Sequence, residues 1–80
     1  FSKDILKSFG FSKNTILHVK KMLEIYGVNQ YFGRNNLVEL LNIKPASASK
    51  LISKLLTTNL IKPIVGRGKG KYIFNKEYVR

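Results

Sequence analysis

Eighty residues, 44% of them hydrophobic, are enough for one core and not for a second domain, since a chain of this size buries only roughly 60% of the surface it exposes when unfolded. The absence of cysteine excludes disulfide staples and thiolate metal sites, which fits a reducing cytoplasm, and no apolar run nears the roughly 20 residues needed to cross a bilayer. A net charge of +11, from 15 basic residues against 4 acids, strains any surface that lacks an anionic partner.

The chain opens on Phe1 rather than Met and shows no signal-peptide pattern, so it reads as a segment cut from something longer. Residues 1–10 form a docking segment in which Ser2 caps a short helix. Asp4 sits near its positive end, Ile5, Leu6 and Phe9 give an apolar side, and Gly10 stops it. Over 12–27 the periodicity predicts the first core helix, capped by Ser12 and ended by Gly27. Its inward stripe is Ile16, Val19, Leu23 and Tyr26, widened by Leu17, Met22 and Ile25. Gln30-Tyr31-Phe32 is too short to assign alone but suits a one-bridge strand; the Tyr and Phe residues read as core and hairpin packing rather than a base-stacking platform, with partial exposure left open for Tyr31, Phe32 and Tyr72.

Residues 33–58 read as two helices joined by a tight turn. Gly33 serves as N-cap, and Leu37, Leu40 and Leu41 point inward. Asn42 tolerates the left-handed conformation that a sharp turn needs, and Pro45 opens the next helix where its missing N–H costs nothing. On that helix Ala48, Leu51, Ile52 and Leu55 make one face. Ser47, Lys50 and Lys54 make another, flanked by Ala46, Ser49, Ser53 and Thr57. Residues 61–74 read as a β-hairpin: Pro63 limits its start to an edge-compatible position, Ile64-Val65 and Tyr72-Ile73-Phe74 are strand formers, and Gly66 to Lys71 form a basic tip. Asn75 to Arg80 suit a turn of helix that packs Tyr78 and Val79.

From Leu40 to Lys76 there is no acid, yet eight basic residues are spread over these elements rather than along one amphipathic helix. That distribution favours nucleic acid over a membrane surface. The expected fold is α+β, mainly α: a winged helix-turn-helix with a three-helix core and a C-terminal hairpin wing. The expected function is non-catalytic binding of duplex DNA, with Ser47, Ser49, Lys50, Ser53 and Lys54 toward the major groove and Arg67, Lys69 and Lys71 on the backbone. The recognition helix shows no outward Arg, Asn or Gln before Asn59, so bidentate base reading is weak or needs a second subunit, and a homodimer stays open.

Catalysis, cofactors and metals find no support. The Gly66 to Lys71 tip lacks both the P-loop spacing and the Ser or Thr that follows its lysine, and Tyr72 begins a strand. His18 is the only histidine and falls on a helix as a surface or boundary residue, while the carboxylates are scattered.

The stretches Leu37–Ile43, Ala48–Leu55, Asn59–Ile64 and Tyr72–Phe74, with Glu77 and Tyr78, resemble the winged helix-turn-helix that closes many bacterial Fic-family proteins. The resemblance runs from about Asn14 to Tyr78. Two positions depart from it: Asn42 stands where a glycine is usual, and Lys44 where a Ser or Thr cap is usual, which removes a side-chain acceptor. The resemblance implies that a domain modifying proteins with a nucleotide precedes this segment in its parent chain, a bacterial regulator. The motif of that activity is absent here, so the activity is not carried over. The competing class is a protein-interaction module that positions or restrains an attached enzyme domain; exposed apolar area on the first two helices would favour it.

Overall fold

The computed structural model describes residues 3–64 and 70–77, with side chains from Leu6 onward. The expected cap at Ser2, the side chains of Asp4 and Ile5, Val65, the hairpin tip with Arg67 and Lys69, and Tyr78 and Val79 lie outside the described residues. Four helices and a two-stranded antiparallel sheet follow one another: α1 (Lys3–Ser8), α2 (Lys13–Tyr26), α3 (Arg34–Leu41), α4 (Pro45–Thr57), β1 (Ile61–Pro63) and β2 (Tyr72–Phe74). This is a mainly helical α+β arrangement, compatible in order and pairing with a winged helix.

Each helix of the core ends where its sequence provides a stop. Ser12 accepts the Thr15 N–H at 3.2 Å to start α2, and Gly27, at φ 60°, closes it by donating to the Leu23 carbonyl at 2.9 Å. Gly33 begins α3 with its N–H held by the Asn36 side chain at 2.8 Å. Asn42 takes the left-handed conformation, φ 53° and ψ 49°, and Pro45 opens α4 two residues after Ile43. Lys44 occupies the cap position of α4 without a side-chain hydrogen bond, as the loss of a Ser or Thr there requires.

The core gathers one face of every element. Leu6 of α1, Val19 and Met22 of α2, Leu37 of α3, Ala48 and Leu55 of α4, and Phe74 of β2 are all fully buried. Each large apolar side chain removed from water here contributes about 1.5–3 kcal/mol against the chain's conformational entropy. Leu37 alone of the expected α3 stripe is buried; Leu40 and Leu41 are half-buried against the cluster.

The inward side of α2 differs from the expected one. Thr15, Val19, Met22 and Tyr26 are buried, Ile16 and Leu23 are half-buried at the margin, and Leu17 and Ile25 stand 60% and 54% exposed. The apolar residues of α2 cover too much of its circumference to point one way. Thr15 goes inside because its hydroxyl is partnered by Ser12 Oγ at 3.1 Å, which removes the cost of burying it.

In the sheet Ile61 pairs with Phe74, Lys62 with Ile73 and Pro63 with Tyr72. Thus β1 starts earlier than the run Ile64-Val65, and Pro63 lies within the strand. Tyr72 exchanges both backbone bonds with Phe32 on its other side, at 2.9 and 2.8 Å, so its rung with Pro63 carries none and the missing proline N–H leaves no gap. Phe32 is therefore a one-bridge strand, and it is fully buried, in line with the expected core packing of the aromatic residues. Its ring stacks on Tyr26 at 5.2 Å and tilts against Phe74 at 5.5 Å. Tyr31, its neighbour, alternates outward and is 42% exposed.

Candidate nucleic-acid interface

Helix α4 divides sharply. At about 100° per residue, Ala46, Ser47, Lys50, Ser53, Lys54 and Thr57 fall within an arc of roughly 120° centred on Lys50, and every one of them is exposed. Ala48, Ile52 and Leu55 lie opposite and are buried. The outward arc therefore carries two ammonium groups among small side chains, with no acid and no large apolar group. Ser49 falls on the flank and is half-buried, turned toward α3 rather than outward. Thr57, which sequence reasoning left at the margin, belongs to the arc, although its hydroxyl is engaged in donating to the Ser53 carbonyl at 2.9 Å.

Two concave surfaces flank this arc. On one side an open groove of about 500 Å³ runs between the first turn of α3, α4 and the segment Gly70 to Tyr72; Arg34, Asn35, Ser49, Ser53 and Lys71 line it. Its walls are held at a fixed separation. The Phe32–Tyr72 bridge ties the start of α3 to β2, and a Cβ on Gly33 would stand only 2.7 Å from the Gly70 carbonyl oxygen. Lys71 is exposed at the edge of this groove, the one expected wing contact that falls within the described residues.

On the other side a notch of about 200 Å³ lies between α2 and α4, lined by Thr15 and His18 from α2, Ile43 from the turn, and Ser47, Lys50 and Lys54 from α4. The structure thus brings together the α4 residues expected from sequence and adds three groups that were not expected: His18, Arg34 and Asn35. Arg34 with Lys71, and His18 with Lys50, are too far apart in sequence to be joined by any local spacing rule. Only the packing of α2 and α3 on α4 shows them.

The acids stand apart from these surfaces. None lines either concavity, and α2, α3 and α4 have none in their first turns. Glu39 instead lies near Tyr26, whose phenol donates to the Asn36 carbonyl at 3.3 Å; burial, and after it the Glu39 charge, push that phenol above its ordinary value. Among the described residues no group of three or more His, Asp or Glu side chains is placed to hold a metal ion, and no helix is long and apolar enough to cross a membrane.

The chain matches no family model, no curated protein and no solved structure.

Proposed function

We propose that this chain is a winged helix-turn-helix module that binds duplex DNA without catalysis, with α2, α3 and α4 as its three-helix core and the β1–β2 hairpin as the base of its wing. The observation that carries the reading is the outward arc of α4. Ser47, Lys50, Ser53 and Lys54 form an exposed, acid-free surface of small and cationic side chains on a helix slim enough to enter a major groove, which is about 12 Å wide. Lys71, with Arg67 and Lys69 beyond the described residues, would hold the backbone from the wing, and Ser49 would act from the flank of the helix. Because no outward Arg, Asn or Gln is present on α4, the energy of binding is mainly that of phosphate neutralisation.

The test is a salt series on duplex DNA. Log affinity should fall with log salt by roughly 0.9 for each phosphate neutralised. An affinity indifferent to salt, or no binding at all, removes the reading.

One observation favours the competing class. Leu17 and Ile25 leave apolar surface on the outward side of α2, which suits a protein contact: a second copy, or an attached domain that this module positions. The likeness to the module that closes Fic-family proteins supports such an attached domain and a bacterial, cytoplasmic parent. The two readings are compatible, since they use different residues, Leu17 and Ile25 of α2 against the outward arc of α4. Loss of self-association or domain docking on changing Leu17 and Ile25, with DNA affinity intact, would establish the second alongside the first.

A further inference from the structure

The notch between α2 and α4 contains the chain's single imidazole, placed against two lysines of the proposed DNA-facing helix. We infer that this notch is a binding site for one backbone phosphate, held by His18 together with Lys50, Lys54 and the Ser47 hydroxyl, so that DNA is bound more tightly when His18 is protonated. The inference rests on the DNA-binding reading and adds to it a contact from α2 and a dependence on pH.

Three features of the notch support a phosphate. Its polar lining is entirely donor or cationic at acid pH: an imidazole, two ammonium groups, and the hydroxyls of Thr15 and Ser47, with no carboxylate among them. Thr15 already has a partner in Ser12 Oγ, at 3.1 Å, which leaves Ser47 as the hydroxyl open to a ligand. At about 200 Å³ the notch has room for a tetrahedral anion. Its position on the rim of the outward arc matches what a helix in the groove requires, since the phosphates run along the groove's edges and not its floor.

The charges around His18 set the sign of the pH effect. From α4 it is faced by Lys50 and Lys54, the turn contributes only Ile43, and along α2 the nearest charged side chain on the same side is Lys21, one turn on. Three cations crowded at one notch repel one another unless an anion lies between them. A phosphate seated there draws a proton onto the imidazole, and by linkage a protonated imidazole draws the phosphate. Lysines do not change charge between pH 5 and 8, whereas an imidazole does.

Duplex affinity is measured at fixed salt from about pH 5.5 to about pH 8 for the parent, His18→Gln and His18→Arg. The parent should bind roughly fivefold tighter at the acid end, the size expected of one charge-assisted contact. His18→Gln should be weak and flat across the range, and His18→Arg tight and flat. A parent that binds DNA with the expected salt slope yet shows no pH dependence, or a His18→Gln variant that keeps the parent's dependence, overturns the notch and leaves the DNA reading standing. Failure of all three proteins to bind DNA removes both. A second arm follows the His18 ring proton resonances by NMR during titration with the duplex and, separately, with inorganic phosphate. Movement with the duplex supports the site, and movement with inorganic phosphate alone overturns it as a DNA contact.

Discussion

Helices α2 and α4 share one core and turn opposite chemistries to the outside. The outward arc of α4 holds only small side chains and two lysines. The outward side of α2 carries Leu17 and Ile25 beside Lys21 and Glu24, all exposed. On α4 the apolar residues number just enough to fill the inward face, so apart from Ser49 on the flank the polar residues face water. On α2 they exceed it, and the surplus has to emerge. An amphipathic pattern therefore reports burial only as far as the core has room to take it, and where a helix has more apolar surface than its core can cover, the excess stays exposed.

The comparison is broken most severely by forcing α4's inward side. Ala48→Leu puts three more carbons into a fully buried position and should cost on the order of 1–3 kcal/mol in a domain with only about 5–15 to spare. Ala46→Leu, the same change on the outward arc, should leave thermal and denaturant midpoints close to the parent's. If Ala46→Leu destabilises and Ala48→Leu does not, the two sides of α4 have been assigned the wrong way round.

A smaller effect, confined to binding, is expected of Lys50→Ala with Lys54→Ala. Duplex affinity should fall about 10- to 100-fold and the salt slope by roughly two units, one for each lost phosphate contact. Competition among a small panel of duplexes then separates groove from wing. Lys50→Ala should shift the ranking of sequences if the helix reads bases, whereas Lys71→Ala should weaken all of them about equally and by less than tenfold.

Smaller again is the consequence of Leu17→Ser with Ile25→Ser. Both residues are more than half exposed, so stability should change by no more than about 0.5 kcal/mol at each position and DNA affinity by less than twofold. Light scattering or pull-down against an attached domain is the readout that should respond. A loss of DNA binding in this variant would move the nucleic-acid surface to α2.

The smallest expected effect appears only at high pH. The Tyr26 phenol is raised above its ordinary value of 10.0 by burial and by Glu39, so the folded state keeps a proton that the unfolded state gives up. Its contribution is fully present below about pH 10 and is lost as pH rises through the folded value. Tyr26→Phe should be close to neutral at pH 7, giving up one long hydrogen bond, and should unfold less steeply with alkali than the parent. Equal alkaline slopes for the two proteins would remove Tyr26 as the cause.

The helix-turn-helix segment was the most legible part of the chain, because each of its decisions is local. Asn42 reverses the chain, Pro45 restarts it, and the spacing of Ala48, Leu51, Ile52 and Leu55 matches a single face. The hairpin was legible in kind and not in register: Ile64-Val65 is the stronger strand former, but pairing begins at Ile61 because Asn75 already donates to the Leu60 carbonyl at 2.8 Å and fixes the ladder from its base. The direction of α2 was not legible, since seven apolar positions spread around its axis allow more than one choice and Thr15 counts as polar until its partner is seen. The flanking groove and the notch were least legible of all. Each is made by residues that local sequence does not relate, Arg34 with Lys71 and His18 with Lys50.

Pro63 has an effect on the company the protein keeps. Its own rung carries no bond to Tyr72, so its backbone faces away from the hairpin, onto the open edge of β1, where it presents a carbonyl and no N–H. A second chain that tried to extend the sheet there would find its hydrogen-bond pattern interrupted at the last residue of a three-residue strand, beside the exposed charge of Lys62. The edge of β1 is in this way a poor template for growth by addition, and copies brought together at high concentration are hindered from joining there.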